Sequence, residues 1–339
     1  MARLLLLCKR VNKTSQNQLS YALLRSNFDR MKFADPYITD DGSQRAHVAL
    51  NELNTLWLNT GTLCNLACEN CYIESKPSND RLSYLTLDEV LPYLDEIQQG
   101  GYKTREIGIT GGEPFMNPHI LAIIQACLSR GFALLVLTNA MRPMMRPRVQ
   151  AGLLDLKKAY GNALTLRVSV DHFKQSLHEE ERGADSWAPM IKGLKWLSRN
   201  KFQIDIAGRT RWGESEAELR EGFAALFQQQ NITIDALDAK QLTLFPEMND
   251  DAQVPEITTD CWNVLGVAAN DMMCASSRMV VKHKDQDKPS VMACTLLAYD
   301  EQFNMGTTLG EASQSIQLNH PHCAKFCVLG GGSCSAQSS

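Results

Sequence analysis

No apolar run in this chain comes near the roughly 20 residues that a bilayer-spanning helix needs. The longest compact one, Ala133 to Leu137, has the length of a strand, so no membrane partner is expected. Charge of either sign is not in excess. The 34 basic and 38 acidic side chains leave a formal net charge of −4, too little for an overall field that would draw the protein to nucleic acid. The apolar start, Met1 to Cys8, falls short of the roughly 7–15 residues of an export signal's core, and it reads as part of a loose N-terminal arm covering residues 1–49. Beyond a strand–helix alternation the sequence has no internal repeat. With 44% apolar and 21% charged residues it has the balance of a globular protein rather than a disordered one.

What the chain has in quantity is cysteine, and eleven is an odd number. With no export signal in view, the expected location is the reducing cytoplasm, where metal or cluster ligation is favoured over disulfides. Three cysteines sit together at 64–71, six follow residue 260, and Cys8 and Cys127 stand apart. Cys127 falls in an apolar, helix-like stretch and reads as a small buried thiol.

From about residue 50 to 240 strand-like and helix-like segments alternate, the pattern of a parallel sheet with covering helices. The expected strands are Asn54 to Leu58, Glu106 to Thr110, Ala133 to Thr138, Leu164 to Val170, Gln203 to Ile206 and Ile232 to Ala236. Thr86-Leu87-Asp88-Glu89 is a capping-box pattern that opens a helix ended by Gly100-Gly101. Further helices are expected over Pro118 to Arg130, Pro147 to Tyr160, Ser186 to Arg199 and Glu214 to Gln230. Six such units fit an open doubly wound sheet or an incomplete barrel, and in either one ligands gather at the carboxyl ends of the strands. After about residue 240 the alternation ends. Residues 241–339 are short-stranded, glycine-bearing and cysteine-rich, and read as a second, small domain.

Cys64-Asn-Leu-Ala-Cys68-Glu-Asn-Cys71 follows directly after the first strand. Three thiolates in eight residues can wrap one face of a four-iron cluster, which has four corners and normally takes four protein ligands. An iron left without a protein ligand is open to an exogenous chelating group. A zinc site is the alternative, although zinc motifs usually present paired Cys-x-x-Cys units. Gly111-Gly112-Glu113-Pro114, after the second strand, combines glycines that permit close backbone approach with a carboxylate able to pair with an ammonium.

Cys64-x-x-x-Cys68-x-x-Cys71-Tyr72, together with Gly111-Gly112-Glu113-Pro114, resembles the signature of the radical S-adenosylmethionine (SAM) superfamily. The resemblance implies an α/β fold, a partial (β/α)6 TIM-like barrel, with a 4Fe–4S cluster on Cys64, Cys68 and Cys71. By the same resemblance Tyr72 lies near the adenine, and Gly111, Gly112 and Glu113 receive the methionine amino group. Asn139, Ser169 and Asp171, at the ends of the third and fourth strands, are placed for the ribose hydroxyls, and Arg209 and Arg211 for a carboxylate of cofactor or substrate.

The C-terminal zone resembles the auxiliary-cluster extensions called SPASM or twitch, a small α+β cysteine-rich domain after the barrel. Cys274, Cys294, Cys323 and Cys327 are the expected ligands of one auxiliary 4Fe–4S cluster. Cys334 competes for a place among them, Cys261 is a lesser candidate, and zinc is the alternative metal. The implied activity is reductive cleavage of SAM to a 5′-deoxyadenosyl radical that abstracts hydrogen from a substrate. Reduced flavodoxin or ferredoxin is the implied electron donor. The substrate expected first is a peptide or protein, as for a maturase, and a small metabolite or sugar is the alternative. A non-catalytic iron–sulfur electron carrier or redox sensor is the reading of a different class.

Overall fold

The computed structural model describes residues 31–247 and 253–331. Its centre is an eight-stranded sheet, built from β2 (Thr55–Asn59), β3 (Glu106–Thr110), β4 (Ala133–Thr138), β5 (Leu164–Asp171), β6 (Gln203–Arg209), β7 (Leu242–Phe245), β8 (Ser277–Val281) and β9 (Ser290–Met292). The spatial order is β7-β6-β5-β4-β3-β2-β8-β9. All neighbours are parallel except β8 and β9, which form an antiparallel hairpin. The short strands β1 (His47–Val48) and β10 (Ile316–Gln317) pair separately.

Parallel strands need helical crossovers, and the sequence supplies them. These are α1 (Leu87–Gln99), α2 (Ile120–Ser129), α3 (Pro147–Tyr160), α4 (Gln175–Arg182), α5 (Trp187–Arg199) and α6 (Glu216–Gln230). The Thr86 capping box forms as expected, with Thr86 Oγ1 accepting from Glu89 N and the Glu89 carboxylate accepting from Thr86 N. Alternation along the strands then sorts the core. Leu56, Leu58, Ile107, Ile109, Leu134 and Val136 pack under the helices, and each such fully buried side chain contributes about 1.5–3 kcal/mol. Trp57 and Leu135 face the other way, into the barrel, and join a second core made largely of C-terminal residues. Gly108 makes room for the indole: a Cβ there would lie 2.4 Å from the Trp57 ring.

Two expectations need correction. Ile232–Ala236 is not a strand. Asn231 closes α6 in a left-handed conformation (φ 56°), and Ile232 and Ala236 bury as plugs beside that helix end. The sixth barrel strand is β7, whose Leu-Thr-Leu-Phe alternates just as Ile-Thr-Ile-Asp-Ala does, so period alone could not choose between them. The sheet also runs past the division expected at 240, because β7 and β8 both belong to it. α4 was not anticipated.

The expected loose arm is docked over its described part. Arg45, 1% exposed, pairs with Glu256, whose carboxylate also accepts from Phe33 N and Asp40 N. Residues 1–30 lie outside the described part. Arg45→Ala strands a buried carboxylate and is expected to cost about 3–5 kcal/mol, read from the urea midpoint.

Candidate active site

β2 ends at Asn59, and the chain then crosses the carboxyl end of the sheet carrying Cys64, Cys68 and Cys71. Every one of these sulfurs has an N–H group aimed at it. Leu66 N is 3.4 Å from Cys64 Sγ, Ser75 N is 3.3 Å from Cys71 Sγ, and Arg182 Nη1 is 3.9 Å from Cys68 Sγ. Burial pushes the Cys64 thiol up to about 12 and raises Cys68 as well, so without a metal these thiols keep their protons. Two buried thiols that need a metal to become anionic, on a loop where each of the three sulfurs is already furnished with a donor, fit an iron–sulfur cluster. Among the described residues no three His, Cys, Asp or Glu side chains converge on one ion; thiolates on different irons of a cluster need not do so.

The Gly-Gly-Glu motif braces this loop. Gly112 N donates to Gly61 O at 2.8 Å and Glu113 N to Leu63 O at 3.2 Å. Gly111 has φ 137°, and a Cβ on Gly112 would sit 2.3 Å from Leu63 O. What the two glycines admit at close range is therefore the backbone that leads into Cys64. The Glu113 carboxylate is buried and accepts from Thr138 Oγ1 (2.9 Å), Asn139 N (2.9 Å) and Phe115 N (3.2 Å). Burial raises its pKa to about 7 against the pull of those three donors. A carboxylate raised in this way stabilises the folded state fully below its unfolded value near 4.5 and loses that contribution as pH climbs through 7. Cofactor-free protein should lose on the order of 3 kcal/mol of stability between pH 4.5 and 7, and Glu113→Gln should flatten that slope. Urea melts across the window check both.

Asn139 is buried and reaches the cysteine loop, with Nδ2 3.0 Å from Asn65 Oδ1 and 4.0 Å from Cys64 Sγ. Tyr72 is half-buried against the second core, and Ser169 is half-buried on the lumen face of β5. Asp171 does not stand open to a ribose. It follows an irregularity in β5, adopts φ 58°, and gives its carboxylate to Arg182 (2.5 and 3.3 Å) and Arg209 (3.3 Å). Burial alone would raise its pKa, but the two guanidiniums hold it below the usual range. Arg209 and Arg211 both turn to Glu181, at 3.4 and 2.7 Å.

Glu181 and Arg182 are the residues that sequence reasoning missed. They end α4, and together they grip the segment between Cys68 and Cys71. Glu69 N donates to Glu181 O (2.9 Å), and Asn70 N and Nδ2 donate to the Glu181 carboxylate (3.1 and 2.9 Å), while Arg182 meets Cys68. The signal was the strongly charged Glu179-Glu180-Glu181-Arg182 run closely following Asp171, which a solvated face would explain equally well.

Cys274, Cys294, Cys323 and Cys327 come together on one cavity, lined otherwise mainly by apolar side chains such as Met272, Leu296 and Phe303, with His322 at its wall. The β8–β9 register places Cys274 and Cys294 at the same end of that hairpin, and Cys323 and Cys327 lie four apart on one helical segment. Burial pushes Cys274 up to about 11 and Cys323 well above its ordinary value. Soft donors in an apolar shell fit a second cluster. Cys261 is buried beside Thr258, away from this cavity. Cys127 packs in the helix-side core as expected, whereas Cys8 and Cys334 lie outside the described residues.

Residues 58–210 match the family described as the Radical SAM superfamily. That segment is similar to a radical SAM domain. Such domains use a 4Fe–4S cluster and SAM, and the match runs from the end of β2 to just past β6. Over 145 residues the chain is 30% identical to the antilisterial bacteriocin subtilosin biosynthesis protein AlbA of Bacillus subtilis (strain 168), covering 42% of this chain and 30% of that protein. Over 108 residues it is 30% identical to an S-adenosylmethionine-dependent nucleotide dehydratase of Selenomonas ruminantium, covering 32% and 35%. The aligned segments thus span about a third of these relatives. Streptococcus suis SuiB bound to precursor peptide SuiA shares the fold at TM-score 0.55 and 13% identity, over 76% of this chain and 63% of that one. Among the described residues no helix is long and apolar enough to cross a membrane.

Proposed function

We propose that this chain is a radical SAM enzyme that modifies a peptide or protein, with a SAM-binding cluster on Cys64, Cys68 and Cys71 and an auxiliary 4Fe–4S cluster on Cys274, Cys294, Cys323 and Cys327. The observation that carries the reading is the loop after β2, where three buried or half-buried sulfurs each face an N–H donor and no fourth cysteine lies within the loop. Held by Cys64, Cys68 and Cys71, the cluster together with SAM would supply reductive radical chemistry toward the substrate.

The chain's own residues hold and orient. Leu66 N, Ser75 N and Arg182 stabilise thiolate charge. Tyr72 stands beside Cys71 for the adenine, and Gly111, Gly112 and Glu113 frame the methionine end. Glu113, a buried carboxylate with three neutral donors, is placed for the SAM ammonium. Glu113→Gln should weaken SAM binding by about 10-fold or more, given the 1.5–3 kcal/mol of a hydrogen bond to a charged group. Isothermal titration on cluster-loaded protein reads it. Asp171 and Arg209 hold the mouth through Arg182 and Asn70, and Ser169 and Asn139 face the same region.

A peptide substrate is supported by the bacteriocin-maturing relative and by the precursor peptide in the SuiB structure. A nucleotide-like small substrate is the second reading, favoured by the dehydratase match. The test is anaerobic reconstitution followed by SAM and dithionite. About eight irons per chain and formation of 5′-deoxyadenosine are expected. A fully loaded protein that yields no nucleoside would refute the reading, and zinc in place of the second iron set would refute the auxiliary cluster.

A further inference from the structure

Charge along the chain is uneven in one place. Between Glu113 and Asp155 the sequence holds no acidic residue, yet Arg130, Arg142, Arg146 and Arg148 fall inside that interval of a net-negative protein. Asp95 engages Arg130 at 3.0 Å. Arg142, Arg146 and Arg148 are exposed, on the β4–α3 connection and the first turn of α3. No described acidic side chain forms an ion pair with Arg142 or Arg148. Met141 and Met144, both buried, anchor the connection; Arg142 and Arg148 project from it, while Arg146, between them, turns its guanidinium back to Pro143 O and Phe115 O.

This connection is also the wall of the cluster cradle. It begins at Asn139, whose Nδ2 is 4.0 Å from Cys64 Sγ. Tyr84, half-buried, is within electrostatic reach of both Arg146 and Cys64. The positive end of α3, opened by Pro147, adds to the same field.

We propose that Arg142, Arg146 and Arg148 are the docking surface for a small acidic one-electron carrier protein that reduces the cluster on Cys64, Cys68 and Cys71. The proposal rests on the radical SAM reading and names the partner that reading requires. Electron transfer weakens steeply with distance, so a carrier must seat where exposed surface and cluster are closest. A positive rim on the connection that starts at Asn139, beside Cys64, steers an acidic protein into contact on that side of the cysteine loop. The carrier loses one electron and the cluster gains it; no atom moves and no covalent bond forms.

Two reductants separate this proposal from the reading beneath it. Reconstituted protein is given SAM without substrate, and 5′-deoxyadenosine is followed with either dithionite or reduced flavodoxin. For Arg142→Glu/Arg148→Glu the dithionite rate should match wild type. The flavodoxin concentration for half-maximal rate should rise at least about 10-fold, and the ionic-strength dependence should flatten. If the double glutamate variant fails to load its clusters, Arg142→Ala/Arg148→Ala carries the same test with a smaller rise. A normal dithionite rate with an unchanged flavodoxin dependence overturns the docking surface alone. So does a wild-type protein that dithionite drives but neither reduced flavodoxin nor reduced ferredoxin can. Unchanged carrier dependence with lost binding of an acidic peptide gives the patch another occupant and also overturns it. A wild-type protein inert to dithionite overturns the radical SAM reading itself.

Discussion

Cys68→Ala is expected to reduce 5′-deoxyadenosine formation to background, while Cys327→Ala keeps SAM cleavage near the wild-type rate and loses substrate turnover. The two zones are separate sulfur sets, one on the loop after β2 and one around the C-terminal cavity. Removing an outer partner of a metal ligand commonly costs about 10–100-fold, so removing Cys68 itself should cost more than about 100-fold. Iron content, the cluster's electron paramagnetic resonance signal and nucleoside yield check the first variant. Nucleoside yield against product mass checks the second. Two variants that both cleave SAM normally would reverse the assignment.

Arg182→Gln is the second large expected effect. Its guanidinium is held by Asp171 on one side and meets Cys68 Sγ on the other, so it places a positive charge beside one thiolate. Hydrogen bonds and charge near cluster sulfurs set the reduction potential. Loss of the charge should move the cluster's midpoint to a more negative value and cut occupancy or activity by about 10–100-fold. Arg182→Lys, which keeps the charge but not the two-sided grip, should restore much of the potential and less of the occupancy. A redox titration followed by electron paramagnetic resonance separates the two. A glutamine variant with full iron and an unmoved midpoint would leave Arg182 as packing only.

The parts of the fold that depend on local pattern were legible. The Thr86 capping box opens α1, the Pro147 start and Tyr160 end of α3 stand where apolar spacing put them, and β3 and β4 have their expected bounds. Where two neighbouring segments carry the same alternation, as 232–236 and 242–245 do, only long-range pairing with β6 decides, and no residue announces it. α4 escaped because Gln175 to Arg182 is polar and its contribution is to hold another loop. The cysteine groups were visible from spacing. The gathering of four of them on one cavity needed the β8–β9 hairpin and the helical segment at 323–328. Asp171 was correctly placed at the strand end, but its commitment to Arg182 and Arg209 lay eleven and thirty-eight residues downstream, beyond what neighbouring positions reveal.

The seating of β8 against β2 bears on how the chain can be divided. A fragment stopped after Phe245 would bare one whole side of the strand that leads into the cysteine loop, with its amides and carbonyls unsatisfied. Bare, flat edges of that kind recruit other copies. Such a fragment should precipitate or self-associate instead of surviving as an independent catalytic core, and the part that gathers the second sulfur set therefore doubles as the barrel's own side wall.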